Sequence, residues 1–235
     1  MIREVRCPLL GANIVKEEFK NAEAHPEHIY DGLQPYSVHQ IDGVKIVVLG
    51  MLTPAIPHWL NHSIWKGMEF EDMVKCARKW VKYIQDVEKP DLLFGLFHSG
   101  LNGGIKTADY EEDATEVVAQ EVPGFDIIFF GHDHQVHNQW ITNKDGGQVL
   151  CIDPSCYVKN VAEAEIALTY KDGQLTKKNI SGKIIDVTNE KIDKQMLAHF
   201  QPKIDEVKAY CSRKIGRFEH PVYSRDGFFG NSAFT

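Results

Sequence analysis

Three short, unbroken apolar runs constrain this chain more than any other feature. They are Lys45-Ile46-Val47-Val48-Leu49-Gly50, Leu92-Leu93-Phe94-Gly95-Leu96-Phe97 and Phe125-Asp126-Ile127-Ile128-Phe129-Phe130. Runs that do not alternate polar with apolar residues suit strands covered on both faces, as in a sheet packed under helices. Between the first two, Phe70, Met73, Val74, Ala77, Val81 and Ile84 recur at three- and four-residue spacing. That spacing predicts a helix with one core-facing stripe, and Pro90 closes the connection. Between the second and third runs, residues 113–122 predict a shorter helix ended by Pro123-Gly124. Strand, helix, strand, helix, strand is the pattern of right-handed crossover units, so the fold class is α/β.

The chain then turns β-rich. Residues 148–152 read as one strand, and 164–170 and 174–180 flank Lys171-Asp172-Gly173, a good hairpin turn. Residues 184–187 read as an added edge strand. A long helix is predicted from Lys191 to about Arg213, with Ile192, Met196, Phe200, Ile204, Val207 and Cys211 on one face. Pro202 is expected to start, kink or split it.

Charge and length exclude some functions. The net charge of -7 comes without a basic stripe, which argues against binding to a nucleic-acid duplex. No apolar run approaches the ~20 residues that span a bilayer, so no membrane span is expected. The five cysteines, Cys7, Cys76, Cys151, Cys156 and Cys211, form no C-x-x-C pair and read as small hydrophobes or free thiols.

The histidines carry the chemistry. His25, His28, His39, His199 and His220 lie in polar or turn-rich stretches and read as surface residues, and His58 and His62 fall in a loop after Thr53-Pro54. His98 differs, because it follows directly on the buried run ending at Phe97. So do His132 and His134, which follow the run ending at Phe130 as Gly131-His132-Asp133-His134. Ligands of open α/β sheets gather just beyond the carboxyl ends of strands. Neighbouring strands lie about 4.8 Å apart, so imidazoles released there can converge on one ion. Gly131 reads as a position where the backbone turns sharply. Three imidazoles can build a single His₃ zinc site with an open position. A two-metal hydrolytic centre wants carboxylates as well. The candidates are Asp133, Asp153 and the run Asp109, Glu111, Glu112, Asp113, none at an obviously matching strand end; the run reads most simply as a solvated helix start.

His98-Ser99-Gly100 followed by Gly131-His132-Asp133-His134 resembles the last two motif blocks of the calcineurin-like metallophosphoesterases. Gly11-Ala12-Asn13-Ile14, Asp42-Gly43-Val44-Lys45, the loop from Thr53-Pro54 to Trp59, and Gly67 resemble the nucleotidase branch in particular. That branch holds 5'-nucleotidases and 2',3'-cyclic-nucleotide 2'-phosphodiesterases with 3'-nucleotidase activity; residues 53–67 and Leu101 lean towards the latter. The resemblance implies the C-terminal half of a four-layer α-β-β-α domain over residues 1–188, a linker helix over 189–216, and the start of a C-terminal nucleotidase domain over 217–235. It implies two divalent transition metal ions (manganese, zinc, iron or cobalt), with His98 and His132 on one and His134 touching the other. It implies a nucleotide substrate and, by family habit, a periplasmic or cell-surface setting.

The family's Asp-x-His, Gly-Asp and Gly-Asn-His-Glu/Asp blocks do not occur here. The expected catalytic histidine would then lie upstream of Met1, and the chain reads as a truncated gene, a cloned fragment or a proteolytic core. Three functions stay open: the incomplete part of a nucleotide phosphoesterase, a non-catalytic metal-binding remnant, and a mononuclear His₃ zinc hydrolase. Apolar sheet faces left open by such a half-domain predict a homo-oligomer.

Overall fold

A computed structural model of the chain describes residues 6–217 and 219. The elements in chain order begin with strands β1 (Ile14–Lys16), β2 (Tyr36–Ile41) and β3 (Val44–Leu52), then the one-turn helices α1 (Ile56–Trp59) and α2 (His62–Trp65). There follow β4 (Met68–Phe70), helix α3 (Met73–Val87), β5 (Leu92–His98), β6 (Gly103–Lys106), β7 (Glu111–Asp113), helix α4 (Thr115–Glu121) and β8 (Ile127–Phe129). The series ends with β9 (Val136–Thr142), β10 (Gln148–Pro154), β11 (Asn160–Lys171), β12 (Gln174–Asp186) and helix α5 (Lys194–Cys211). The chain divides into two compact units, Met1–Asn189 and Glu190–Thr235.

A six-stranded sheet ordered β2-β3-β5-β8-β10-β9 organises the first unit. The four central strands run parallel, and β2 and β9 pair antiparallel at the two edges. Helices α3 and α4 supply the crossovers that parallel pairing needs. They cover one face, where Met73, Trp80, Ile84 and Val118 pack on Val47, Leu49, Leu93, Ile128, Val149 and Cys151. The opposite face is covered over part of its width by the β11–β12 hairpin. Ala162, Ala164 and Ile166 alternate along β11 and, with Ile180 and Ile184, close over Ile127, Leu150 and Ile152. Each of those three fully buried side chains is worth about 1.5–3 kcal/mol over exposure. Further along the same face, Leu96 on β5 stays 51% exposed.

The predicted layer pattern is present, and the departures have local causes. Phe70 belongs to β4, paired with Ile14, because α3 starts only after Asp72, whose carboxylate accepts the Lys75 N–H at 2.9 Å. Strand β8 is shorter than its apolar run. Phe125 leaves the ladder to pack edge-on against Phe97, and the Asp126 carboxylate accepts the Leu93 N–H at 2.9 Å and the Lys178 ammonium at 2.8 Å. Residues 184–187 are no separate edge: β12 runs to Asp186. In the second unit α5 runs unbroken through Pro202, with its first turn capped by Asp193; a proline at such a position removes one intrahelical hydrogen bond without ending the helix. His220 and the tail from Ser224 lie outside the described residues.

Candidate metal centre

The parallel strands β5 and β8 carry their carboxyl ends to one edge of the sheet, in register at Leu96 and Phe129. Past β5, Ser99 bridges back to Gly131 as an isolated antiparallel pair. That bridge clamps the two strand ends together and brings the rings of His98 and His132 to 5.1 Å between centroids. Burial first, and then the adjacent His132 and His134 rings, hold the His98 pKa below its ordinary value. A neutral imidazole has a lone pair to give.

His132 and His134 both sit at positive φ, 104° and 61°. Such backbone costs a non-glycine residue about 1–3 kcal/mol and concentrates at functional sites. The turn expected of Gly131 is therefore made by the histidines themselves; Gly131 is not left-handed, and a Cβ there would meet nothing within 4 Å. His134 lies near Tyr157, ring centroids 5.9 Å apart, and its carbonyl accepts the Ser155 hydroxyl at 2.8 Å.

The acidic run is not a solvated helix start. Glu112 and Asp113 belong to β7, which pairs with β6 as a small hairpin folded against the strand ends. Glu112 Oε1 lies 3.0 Å from His132 Nε2, and Asp113 Oδ1 lies 4.0 Å from it. One ligand atom from each of Glu112, Asp113 and His132 falls within 4.8 Å of the others. Ser99 locks the hairpin in place: its hydroxyl donates to the Glu112 carbonyl at 2.8 Å and accepts the Ala114 N–H at 2.9 Å.

Asp133, inside the Gly-His-x-His block, has a different task. Its carboxylate accepts the Leu101 N–H at 2.9 Å and the Gln135 N–H at 2.8 Å, and it faces His137 Nε2 at 3.3 Å. It ties the histidine loop to the β5 end. His137 was not singled out by its sequence position, and neither was Trp59, whose ring lies 5.4 Å from that of His132. Asp153, at the end of β10, is wholly buried; burial, followed by the facing Asp133 carboxylate, pushes its pKa up to about 6. On the other side of His98 opens an apolar groove of about 640 Å³ lined by Leu9, Leu10, Met51, Leu52 and Phe97.

The fold matches the calcineurin-like phosphoesterase YfkN from Bacillus subtilis with a TM-score of 0.72 over 90% of this chain and 66% of that one, at 18% identity. In sequence the chain is similar to nucleotide phosphoesterases. It is 24% identical to a 2',3'-cyclic-nucleotide 2'-phosphodiesterase/3'-nucleotidase of Haemophilus influenzae over 95% of its own length. It is 27% identical to the trifunctional nucleotide phosphoesterase protein YfkN of B. subtilis over 79%. It spans 36% and 12% of the length of those two relatives. No family model matches it. The chain is thus similar in sequence to proteins named as nucleotide phosphoesterases and nucleotidases, and in fold to a calcineurin-like phosphoesterase. No helix among the described residues is long and apolar enough to cross a membrane.

Proposed function

We propose that this chain is the metal-holding part of a phosphoesterase that hydrolyses nucleotide phosphate esters, of the 5'-nucleotidase or 2',3'-cyclic-nucleotide type, with His98, His132 and His134 as metal ligands. The observation that carries the reading is the 5.1 Å approach of the His98 and His132 rings at adjacent strand ends. The donor set fits a divalent transition ion. His98 is held towards its neutral form, and mixed imidazole and carboxylate surroundings suit manganese, zinc, iron or cobalt. An ion bound there would polarise a phosphoryl oxygen and make water a stronger nucleophile. The residues of this chain orient that chemistry. Asp133 and Ser99 fix the two strand ends, and the Trp59 ring lies beside that of His132.

The same resemblance supports residues 1–188 as a partial catalytic domain, 189–216 as a linker helix and 217–235 as the start of a further domain. It also supports a second metal ion beside the first and, on the relatives alone, a periplasmic or cell-surface setting. The exposed Leu96 supports association of the open sheet face with a second copy. No residue here matches the family's Asp-x-His, Gly-Asp or Gly-Asn-His blocks, so this chain by itself should turn over neither p-nitrophenyl phosphate nor a 2',3'-cyclic nucleotide. The test is calorimetric titration with manganese beside turnover assays. The reading expects binding that weakens at least about tenfold in His98→Ala and in His134→Ala, by analogy with the 10–100-fold effects of ligand-orienting residues. Binding unchanged in both variants would remove the site. Metal-dependent turnover lost in His98→Ala would overturn the claim that the chain is catalytically incomplete.

A further inference from the structure

We propose that Glu112, with Asp113 beside it, is a metal ligand: the β6–β7 hairpin supplies carboxylate oxygens that, together with His132, form a divalent-cation site contained within this chain. The inference deepens the metal-holding reading above and shares one residue with it, His132.

Three independent features of the structure point to a cation at this spot. The first is geometry. The donor atoms of Glu112, Asp113 and His132 lie within 4.8 Å of one another, and the His98 ring stands 5.1 Å from that of His132. The second is charge. The two carboxylates are largely buried, with side chains 13% and 9% exposed, and among the described residues neither forms an ion pair with a lysine or arginine. Among those residues their nearest side-chain nitrogen is that of the His132 imidazole. Crowded, desolvated carboxylates are stabilised by a bound divalent ion or by losing a charge.

The third is preorganisation. Each carboxylate spends one oxygen on a backbone N–H: Glu112 Oε2 accepts from Ile105 and Asp113 Oδ1 accepts from Gly100, both at 2.6 Å. Those bonds fix the carboxylate planes and leave Glu112 Oε1 aimed at His132. Two glycines make the room. A Cβ on Gly104, at φ 66°, would fall 2.6 Å from the Glu112 carboxylate, and one on Gly100 would fall 2.6 Å from Asp113 Oδ1. The cradle closes only because no side chain stands in it. Mixed oxygen and imidazole donors of this kind suit manganese, cobalt or zinc.

The test is calorimetric titration of the whole chain with Mn²⁺, with Co²⁺ absorption bands as a second readout, on the wild type and on Glu112→Gln. Glutamine keeps an oxygen for the Ile105 N–H and loses only the charge, and a thermal midpoint for each variant establishes that it is folded. The expected result is one ion bound per chain by the wild type, weakened at least about tenfold in Glu112→Gln with a changed Co²⁺ spectrum. Asp113→Asn serves as the second variant and should weaken binding in the same direction. No binding by the wild type, or equal binding in folded Glu112→Gln, overturns the proposal. His98→Ala separates it from the reading on which it rests. Binding that survives His98→Ala but not Glu112→Gln leaves the hairpin site standing without the strand-end pair. The reverse leaves the strand-end pair without the hairpin.

Discussion

Replacing Asp153 by asparagine should stabilise this chain, and by an amount that grows with pH. Asp153 ends β10 wholly buried; one oxygen accepts the Ser155 N–H at 2.6 Å, and the other has no hydrogen-bond partner. Burial and the facing Asp133 carboxylate raise its pKa from 3.8 to about 6. The folded state therefore keeps a proton up to pH about 6 that the unfolded chain releases near pH 4. Stability must then fall as pH rises through that window, and the loss is complete above the folded pKa. A shift of roughly two units corresponds to about 3 kcal/mol at its limit. Between pH 4.5 and pH 7.5 the linkage relation gives a loss of about 2 kcal/mol from this one group. An asparagine side chain has no proton to lose in this range and escapes the loss. Urea unfolding of both proteins, in the presence of a chelator so that no bound metal contributes, should show the difference between Asp153→Asn and wild type increasing by about 2 kcal/mol from the lower to the higher pH. Comparing the two proteins at each pH cancels the carboxylates that do not face Asp153, which titrate alike in both. A difference that stays constant with pH, or a variant less stable at pH 7.5 than at pH 4.5 relative to wild type, would refute the argument that Asp153 carries its proton in the fold.

Other regions of the fold make sharper, simpler predictions. Thiol-specific labelling of the native chain should reach Cys7, Cys211 and, more slowly, Cys156, and should spare Cys76 and Cys151 until denaturant is added; burial pushes the Cys151 thiol up to about 12. Gly50→Ala should destabilise by about 1–3 kcal/mol in urea unfolding, because a Cβ on that β3 residue would collide with Leu10 and overpack the site. Asp126→Ala should cost about 1–3 kcal/mol by the same measure, since it leaves the Leu93 N–H without its acceptor and frees Lys178 of β12 from the sheet. If Asp126→Leu, which also removes the carboxylate, were as stable as wild type, the hydrogen-bond argument would be wrong.

The sequence displayed the parts of this fold whose information is local. An unbroken apolar run marks a strand covered on both faces, and β3 and β5 are legible on that account; the stripe of α3 is legible because Met73, Ala77, Val81 and Ile84, all buried, repeat at helical spacing. Strands β2 and β9 were not legible. They are sheet edges with mostly exposed side chains, and pairing with β3 and β10 makes them strands where periodicity alone does not. The candidate centre divides in the same way. His98 and His132 announce themselves by standing at the ends of apolar runs. Glu112 and Asp113 do not, because their meaning depends on a hairpin folding back by tertiary contact through the Ser99 hydroxyl. Before that fold-back, an acidic run ahead of a helix looks like any favourable helix start. One signal was present nonetheless. Gly104 precedes Glu111-Glu112-Asp113 by a loop's length, and a glycine facing paired carboxylates marks a place where a side chain must be absent for charges to approach. The carboxylates that a metal centre demands can thus come from a hairpin that only the folded chain sets beside the histidines, so a search of strand ends alone misses them.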